Sequence, residues 1–218
     1  MKTRSKALLL TLCAVLLVTA SVLGTMAYLT SQDTVTNTFT VGSVAIKLDE
    51  AKANTDGSLV EGEGAARVKA NSYKLLPGHT YNKDPMVTVL NGSEASYIKM
   101  TVTFSKASAL DAIFAPTGAD LTSIFNGYDS TNWIYKDNTK DATADTRTYE
   151  FWYKETVGAP TADVALDALF DSITVPGSIT NEQLKTIEGM TITVNAYAIQ
   201  ADGFETEAAA WAAFDAQK

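Results

Sequence analysis

Apolar and polar side chains alternate along several stretches of the chain, as they do in β-strands with one buried face. The alternation is clearest over residues 97–104 (YIKMTVTF), 148–157 (TYEFWYKETV) and 190–200 (MTITVNAYAIQ), and it predicts shorter strands at 43–49 and 86–90. The residues predicted to face the core are Val44, Ile46, Leu48, Ile98, Met100, Val102, Phe104, Ile192, Val194, Ala196 and Ala198.

Helical spacing is found only between the predicted strands. Residues 106–115 predict a short helix, and residues 206–216 predict another that packs on the sheet through Trp211 and Phe214. Residues 161–171 predict a third helix, whose buried face consists of Val164, Leu166, Leu169 and Phe170. These helices are expected to cover ends or connections of a sheet.

Residues 117–147 contain scattered Asp and Asn, which predicts a long loop with one strand around Trp133. Closely spaced strands with helices only in the connections predict an all-β fold, an antiparallel jelly-roll-like β-sandwich. An immunoglobulin-like sandwich is disfavoured because the Cys…Trp…Cys pattern of that fold is absent from the sequence.

The first 27 residues have the pattern of an export signal. Basic residues near the start precede an apolar run over 7–23, and small residues at Thr25 and Ala27 predict cleavage between Ala27 and Tyr28. The alternative is an uncleaved membrane anchor, because the run is close to the ~18 residues that span a bilayer.

Residues 28–41 follow the signal and are rich in β-branched side chains, which predicts an N-terminal strand or linker. Val35, Phe39 and Val41 share one parity and form its apolar face. The predicted organisation is therefore a cleaved signal over 1–27, a donor strand over 28–41 and a sandwich domain over 42–218.

Charge and cysteine content narrow the possible functions. The chain carries a formal net charge of -8, and removing the three bases and no acids of residues 1–27 leaves 14 bases against 25 acids. This acidic surface argues against nucleic acid, and against anionic membranes after cleavage, as partners. The single cysteine, Cys13, lies in the signal, so the exported domain can form no disulfide.

Catalytic constellations are not evident in the sequence. Zinc hydrolases use about three protein ligands and an open water position, but this chain has one histidine, His79, and no His-Glu-x-x-His sequence. A serine triad would have to use His79 as its base, with Ser72 and Asp84 nearby in sequence. We therefore predict no enzymatic activity, no catalytic residues, no metal and no cofactor.

Three other groups have a binding interpretation beside a structural one. Clustered oxygens at Asp137, Asn138, Asp141 and Asp145 could hold calcium, but they lack the features of an EF-hand loop and favour a solvated loop. Asn91-Gly92-Ser93 fits a glycosylation acceptor or, more simply, a hairpin turn. The aromatic strand over 149–153 could bind sugars if Tyr149, Trp152 and Tyr153 were exposed together; otherwise it belongs to the core.

Six further features of the sequence belong together: Gly24-Thr25-x-Ala27-Tyr28 after the apolar run, Asn37–Gly42, Leu76-Pro77-Gly78, Lys83-Asp84, Asn91-Gly92-Ser93 and the closing strand over 192–200. Together they resemble the TasA/camelysin-like family. The resemblance implies processing by a SipW-type signal peptidase, a jelly-roll domain, and fibre or matrix roles outside a Gram-positive-type bacterium. Camelysin-type proteins have been described as metallopeptidases, which gives one alternative function.

Together these observations predict a secreted structural protein of a biofilm or other extracellular matrix. Its expected partners are further copies of itself in fibres, the SipW-type peptidase and other matrix proteins. Residues 28–41 would add as a strand to a neighbouring copy after signal cleavage, with Val35, Phe39 and Val41 facing inward. The alternatives are a monomeric secreted adhesive module and a camelysin-type metalloprotease.

Overall fold

The computed structural model describes residues 6–17, 42–114 and 123–217. The chain divides into two units, Met1–Val41 and Gly42–Lys218. In the first unit, residues 6–17 form a helix, α1, whose side chains are exposed. Among the described residues, no helix combines the length and apolarity that crossing a membrane requires.

The second unit is built mainly from short antiparallel strands. In chain order they are β1 (Ile46–Ala51), β2 (Arg67–Val68), β3 (Thr80–Asn82), β4 (Met86–Val89), β5 (Ser96–Ser105), β6 (Trp133–Asp141), β7 (Thr146–Tyr153), β8 (Val164–Ala165), β9 (Ser172–Thr174) and β10 (Ile192–Gln200). The connections contain α2 (Ala107–Phe114), α3 (Asn181–Thr186) and α4 (Glu207–Asp215).

These strands form two four-stranded sheets, in the orders β2-β1-β4-β8 and β10-β5-β7-β6, and a small sheet of β3 and β9. All of the pairings are antiparallel. The all-β antiparallel sandwich predicted from the alternation is confirmed. The strand connections that would define a jelly roll stay a prediction.

The core contains side chains from both large sheets. β5 contributes Ile98, Met100, Val102 and Phe104, all at most 1% exposed, as the alternation predicts. Val87 and Val89 of β4 pack in the same core, and Ile46 and Leu48 of β1 lie partly buried at its margin. Ile192, Val194, Ala196 and Ala198 of β10 are also partly buried there, so their predicted inward orientation is confirmed.

The predicted insertion is more ordered than its composition suggests. β6 extends to Asp141 and forms a hairpin with β7, so the prediction of a mostly irregular segment is wrong for the part that is described. Phe125 is buried, with its ring centroid 4.6 Å from that of Phe170 and 5.3 Å from that of Tyr149. The insertion therefore supplies part of the core.

The predicted helices at 106–115 and 206–216 are confirmed as α2 and α4, with Trp211 buried against the sheet. The helix predicted over 161–171 is wrong, because main-chain bonds to β4 and its flank hold this stretch extended: Leu166 donates to Val87 and Leu169 donates to Pro85. Leu166, Leu169 and Phe170 are buried as predicted, whereas Val164 is 39% exposed.

One helix, α3, is absent from the sequence prediction. Its signal is a capping box, in which the Thr180 hydroxyl accepts from the Gln183 amide and the Gln183 side chain accepts from the Thr180 amide. The helix has only six residues, too few for its apolar spacing to stand out.

Candidate functional site

β10 forms an open edge of its sheet in the described part of the chain. Main-chain bonds from Ser105 to Thr191 and from Ala201 to Ala95 show that odd-numbered residues of β10 pair with β5. Because antiparallel bonding alternates along a strand, the even-numbered residues direct their N–H and C=O groups away from β5. These are the residues with inward side chains, Ile192, Val194, Ala196 and Ala198, so the edge offers main-chain and apolar contacts together.

Among the described strands, none pairs with one side of the first half of β1. Leu90 donates to the carbonyl of Ala45, which places the odd-numbered residues of β1 on the β4 side. β2 covers the other side only at Glu50 and Ala51. The main chain of Ile46 and Leu48 is therefore directed away from β4, in a stretch that β2 does not cover.

These two strand edges border one groove, which we call the β1–β10 groove. Cα atoms of β1 and β10 approach within 8 Å of each other, although the strands belong to different sheets. Around Leu48 the groove opens into a cleft of about 350 Å³, whose lining includes Leu48, Lys69, Asn71, Lys83, Ile192 and Val194. Its lining combines apolar side chains from β1 and β10 with charged and polar ones.

The groove has two distinct ends. Glu94 donates to Ser43 and Ala201 donates to Ala95, so the start of the domain lies near the last residue of β10; we call this the Gly42 end. Leu48 lies near Ile192 at the other end, which we call the polar end. β1 and β10 therefore run in opposite directions along the groove.

A buried ion pair stands at the polar end. Lys83 Nζ lies 2.5 Å from Glu50 Oε2, and the two residues are 8% and 5% exposed. Asn71 Nδ2 donates to the other carboxylate oxygen of Glu50 at 3.0 Å and to the carbonyl of Ala51 at 2.8 Å. The Glu50 charge is thus fully paired although it is nearly out of water.

Arg67, in β2, links two acids at the same end of the groove. Its guanidinium donates to the carboxylate of Asp49, to Asp84 Oδ2 at 2.8 Å and to the main-chain carbonyls of both acids. Burial alone would raise the pKa of Asp49, but hydrogen bonds from Lys47 and Arg67 outweigh it and lower the pKa below its ordinary value.

Lys69 differs from the other cations of this end. Its ammonium donates to the Leu48 carbonyl at 2.5 Å, and within the described part of the chain no ion pair involves it. The polar end has four bases and three acids, a surplus of +1 on a chain of -8: Lys47, Arg67, Lys69 and Lys83 against Asp49, Glu50 and Asp84. A lysine that covers a strand edge hinders unspecific pairing.

The residues that the sequence assigned to cleavage and assembly lie outside the described residues. They are Ala27 and Tyr28 at the predicted cleavage site and Val35, Phe39 and Val41 on the predicted assembly strand. The described domain starts immediately after them at Gly42.

His79 and Asp84, the candidates for hydrolytic chemistry, contact other residues instead of each other. His79 is exposed in the turn after Pro77, and its ring centroid lies 6.4 Å from that of Tyr81. Asp84 is engaged by Arg67 and by the amide of Ala51. Among the described residues, no three His, Cys, Asp or Glu side chains are grouped closely enough to hold a metal.

The residues weighed as possible calcium ligands are distributed over a hairpin and its turn. Asp137, Asn138 and Asp141 lie in β6, so their placement in an irregular loop is wrong. The Asn138 side chain contacts Tyr135 and Arg147, and Asp141 Oδ1 accepts from the amides of residues 143 and 144. Asp145 instead accepts from the amide and hydroxyl of Ser108, where α2 begins.

The aromatic strand does not present a flat sugar-binding patch. Tyr149 is completely buried and Tyr153 packs edge-on against Trp133 at 5.0 Å. Trp152 lies on the opposite face, 6.2 Å from Trp211 and beneath the Lys136 ammonium. The interpretation of this strand as core and covered face is therefore the better one.

Asn91-Gly92 forms the predicted turn between β4 and β5. Gly92 has a φ of 80°, a conformation that glycine adopts without strain. The Ser93 hydroxyl contacts the main chain of Ala45, which ties this turn to the start of β1.

Comparison with protein-family models, with curated proteins and with solved structures found no match. The groove therefore has to be interpreted from its own geometry. Sequence reasoning missed Asp49, Glu50 and Lys83 as buried charges. A signal was present, because two adjacent acids end a strand that otherwise alternates, and only internal partners allow both to be covered.

Proposed function

We propose that this chain is an exported structural protein of an extracellular matrix whose copies join by strand donation. Cleavage before Tyr28 by a SipW-type peptidase frees residues 28–41, here called the arm. The arm of one copy then adds to the open edge of β10 in the next copy. The observation that carries the proposal is the β1–β10 groove, where unpaired main chain and partly exposed apolar side chains lie together.

The composition of the arm suits this groove. It has fourteen residues, of which Asp33 is the only charged one, and its apolar face consists of Val35, Phe39 and Val41. Fully extended it is about 46 Å long, and nine-residue β10 is about 31 Å long. Each new main-chain hydrogen bond contributes about 1 kcal/mol, and burial of the apolar side chains adds to that.

Strand direction favours donation to a neighbour over folding back. An arm that turned back at Gly42 would run parallel to β10, the longer open edge, and antiparallel only to the short uncovered part of β1. A donated arm would run antiparallel to β10 and parallel to that part of β1, and antiparallel pairing is slightly more stable per residue. The turn would also fall on β-branched Thr40 and Val41, which disfavour the positive φ of tight hairpin turns. An arm that arrives from a neighbour at the polar end adds antiparallel to β10.

Docking requires a small opening of the groove. A strand that pairs with two flanking strands needs about 9.6 Å between them, which is twice the ordinary strand spacing. β1 and β10 approach within 8 Å between Cα atoms, so their edges have to separate by at least roughly 1.6 Å at the closest points. This cost is paid once per contact and disfavours pairing with unrelated strands.

The resemblance of the N-terminal and turn motifs to the TasA/camelysin-like family supports the same function. It also supports secretion and a matrix role, since proteins of that group are exported. The successive contacts would be heterologous, each copy giving its arm and receiving another, which generates an open fibre.

The test compares purified residues 28–218 with the same chain carrying Phe39→Lys. We expect the unchanged protein to form fibres visible by electron microscopy and the variant to remain monomeric, because a charge would face the groove. Thr38→Lys is the matched control: its position lies on the opposite face of the arm, and we expect fibres.

Three outcomes would contradict the proposal. A stable monomer of the unchanged protein at high concentration would favour the monomeric adhesive module. Fibres that form equally well with Phe39→Lys, or without residues 28–41, would exclude the arm as the donor. Casein hydrolysis that is lost with a chelator and with His79→Ala would favour a metalloprotease instead.

A further inference from the structure

Strand donation in the antiparallel direction brings opposite ends of two domains together, and this gives an inference that rests on the proposed function. We propose that Glu94 of the incoming copy forms an ion pair with Lys69 of the accepting copy. The contact would lie where the arm of the incoming copy passes into its own domain, and it would set the order and polarity of the assembly.

Glu94 is bound to the start of the domain. Its amide donates to the Ser43 carbonyl at 2.9 Å. Its side chain lies along Gly42, since a Cβ atom built on that glycine would be 2.6 Å from Glu94 Oε1. The carboxylate is exposed and follows Gly42 wherever the arm places it.

Lys69 occupies the corresponding place on the accepting domain. It lines the polar end of the groove and donates to the Leu48 carbonyl, on the side of β1 that β2 leaves uncovered. A docked strand would supply its own N–H group to that carbonyl. The Lys69 ammonium would then be released beside the arm and would need a new acceptor.

The arm's direction places these two groups side by side. With the arm antiparallel to β10, its last residue, Val41, lies at the polar end of the acceptor near Ile192. Gly42 follows immediately, and Glu94 is carried with it. Consecutive residues of an extended chain are about 3.3 Å apart, so Gly42 would lie one residue beyond the end of the docked arm. The side chains of Glu94 and Lys69 are long enough to meet beside it.

Charge at the two ends of the domain agrees with this contact. The Gly42 end has acids close to the start of the domain: Glu94, Asp163, whose Oδ1 accepts from the Asn91 amide, and Asp202, in the turn after β10. The polar end has the surplus of +1 described above. The exported residues carry 14 bases against 25 acids, so most orientations of two copies repel each other, and this orientation brings opposite charges together.

Charge reversal tests the pair. Lys69→Glu and Glu94→Lys are introduced separately into residues 28–218, and the concentration needed for fibre formation is measured by light scattering and electron microscopy. We expect each variant alone to need at least about tenfold more protein, since like charges would then meet at every contact. Lys136→Glu is the control for net charge. It lies in β6, at the edge opposite β10 in their sheet, and should assemble as the unchanged protein does.

Rescue separates this inference from a folding defect. In the double variant every contact again joins opposite charges, so assembly should return to the original concentration. An equal mixture of the two single variants should also assemble, because the two kinds of copy can alternate. Circular dichroism of each variant checks that it is folded.

The inference is overturned if the single reversals assemble as the unchanged protein does, or if neither the double variant nor the mixture restores assembly. It fails separately from the proposed function when Phe39→Lys blocks fibres but the reversals do not. If the unchanged protein forms no fibres at all, both fail together.

Discussion

The ammonium of Lys83 lies 2.5 Å from the carboxylate of Glu50, and less than a tenth of either residue is exposed to solvent. The pair joins the end of β1 to the residue that follows β3. A charge removed from water needs a partner of opposite sign, so the two residues depend on each other more than an exposed pair would.

Breaking this pair on one side should destabilise the domain strongly. We expect Glu50→Ala to lower the free energy of unfolding by about 3–5 kcal/mol, because Lys83 is left buried without a counter-charge. The double variant Glu50→Leu with Lys83→Met should lose much less. Urea unfolding measures both, and Lys140→Ala, which removes the exposed partner of Asp111, should cost less than about 1 kcal/mol. Equal losses in the single and double variants would contradict the account.

Substitution by proline can test the open edge of β10 and its paired side independently. The Ala196 amide is directed away from β5, so Ala196→Pro should leave the β5 ladder intact and block addition of an arm. The neighbouring Asn195→Pro removes a ladder bond to β5 and should destabilise the domain itself. Fibre formation and thermal melting together distinguish the two. Normal fibres from folded Ala196→Pro would exclude this edge as the acceptor.

The long strands could be predicted from the sequence because alternation is local: β5 and β10 show it without any knowledge of their neighbours. The groove could not be predicted from the sequence, because an edge is open only when no other strand pairs with it, and that depends on the arrangement of the whole sheet. The helix predicted over 161–171 was wrong for the same reason. Its apolar spacing fits a helix, but pairing with β4 decides the conformation, and a single sequence does not reveal that partner.

Asp49 makes the stability of the domain depend on pH in the acidic range. Hydrogen bonds and charges from Lys47 and Arg67 lower its pKa in the folded state despite burial, so the unfolded chain binds the proton more readily. The stabilisation is therefore complete above the unfolded pKa of about 4 and is lost as pH falls through the lower folded pKa. Asp49→Asn should flatten the decline of unfolding free energy below pH 4, as measured by urea titration. An unchanged slope would contradict the assignment.

Phe125 should be among the most important core residues, although it lies in the segment whose composition suggested a loop. Its ring packs against Phe104, Tyr149, Phe151 and Phe170. We expect Phe125→Ala to cost about 3–5 kcal/mol of unfolding free energy because it leaves a cavity among these rings. Ile134→Ala, which truncates a residue that is 41% exposed, is the control and should cost far less. A loss below 1 kcal/mol at Phe125 would mean that this segment is not packed as described.

Lys99 holds α4 on the outer face of β5. Its side chain is 2% exposed, and its ammonium lies 4.6 Å from the Trp211 ring centroid and 3.5 Å from Asp215 Oδ2. Lys99→Met keeps most of the apolar stem but removes the charge. We therefore expect a loss of about 1–2 kcal/mol of unfolding free energy and a red shift of tryptophan fluorescence as α4 loosens.

The exposed Lys136, whose ammonium is 4.1 Å from the Trp152 centroid, provides the control, because Lys136→Met should cost about half as much and leave α4 in place. If Lys99→Met leaves both stability and fluorescence unchanged, α4 is held by its apolar contacts alone and the cation makes no contribution.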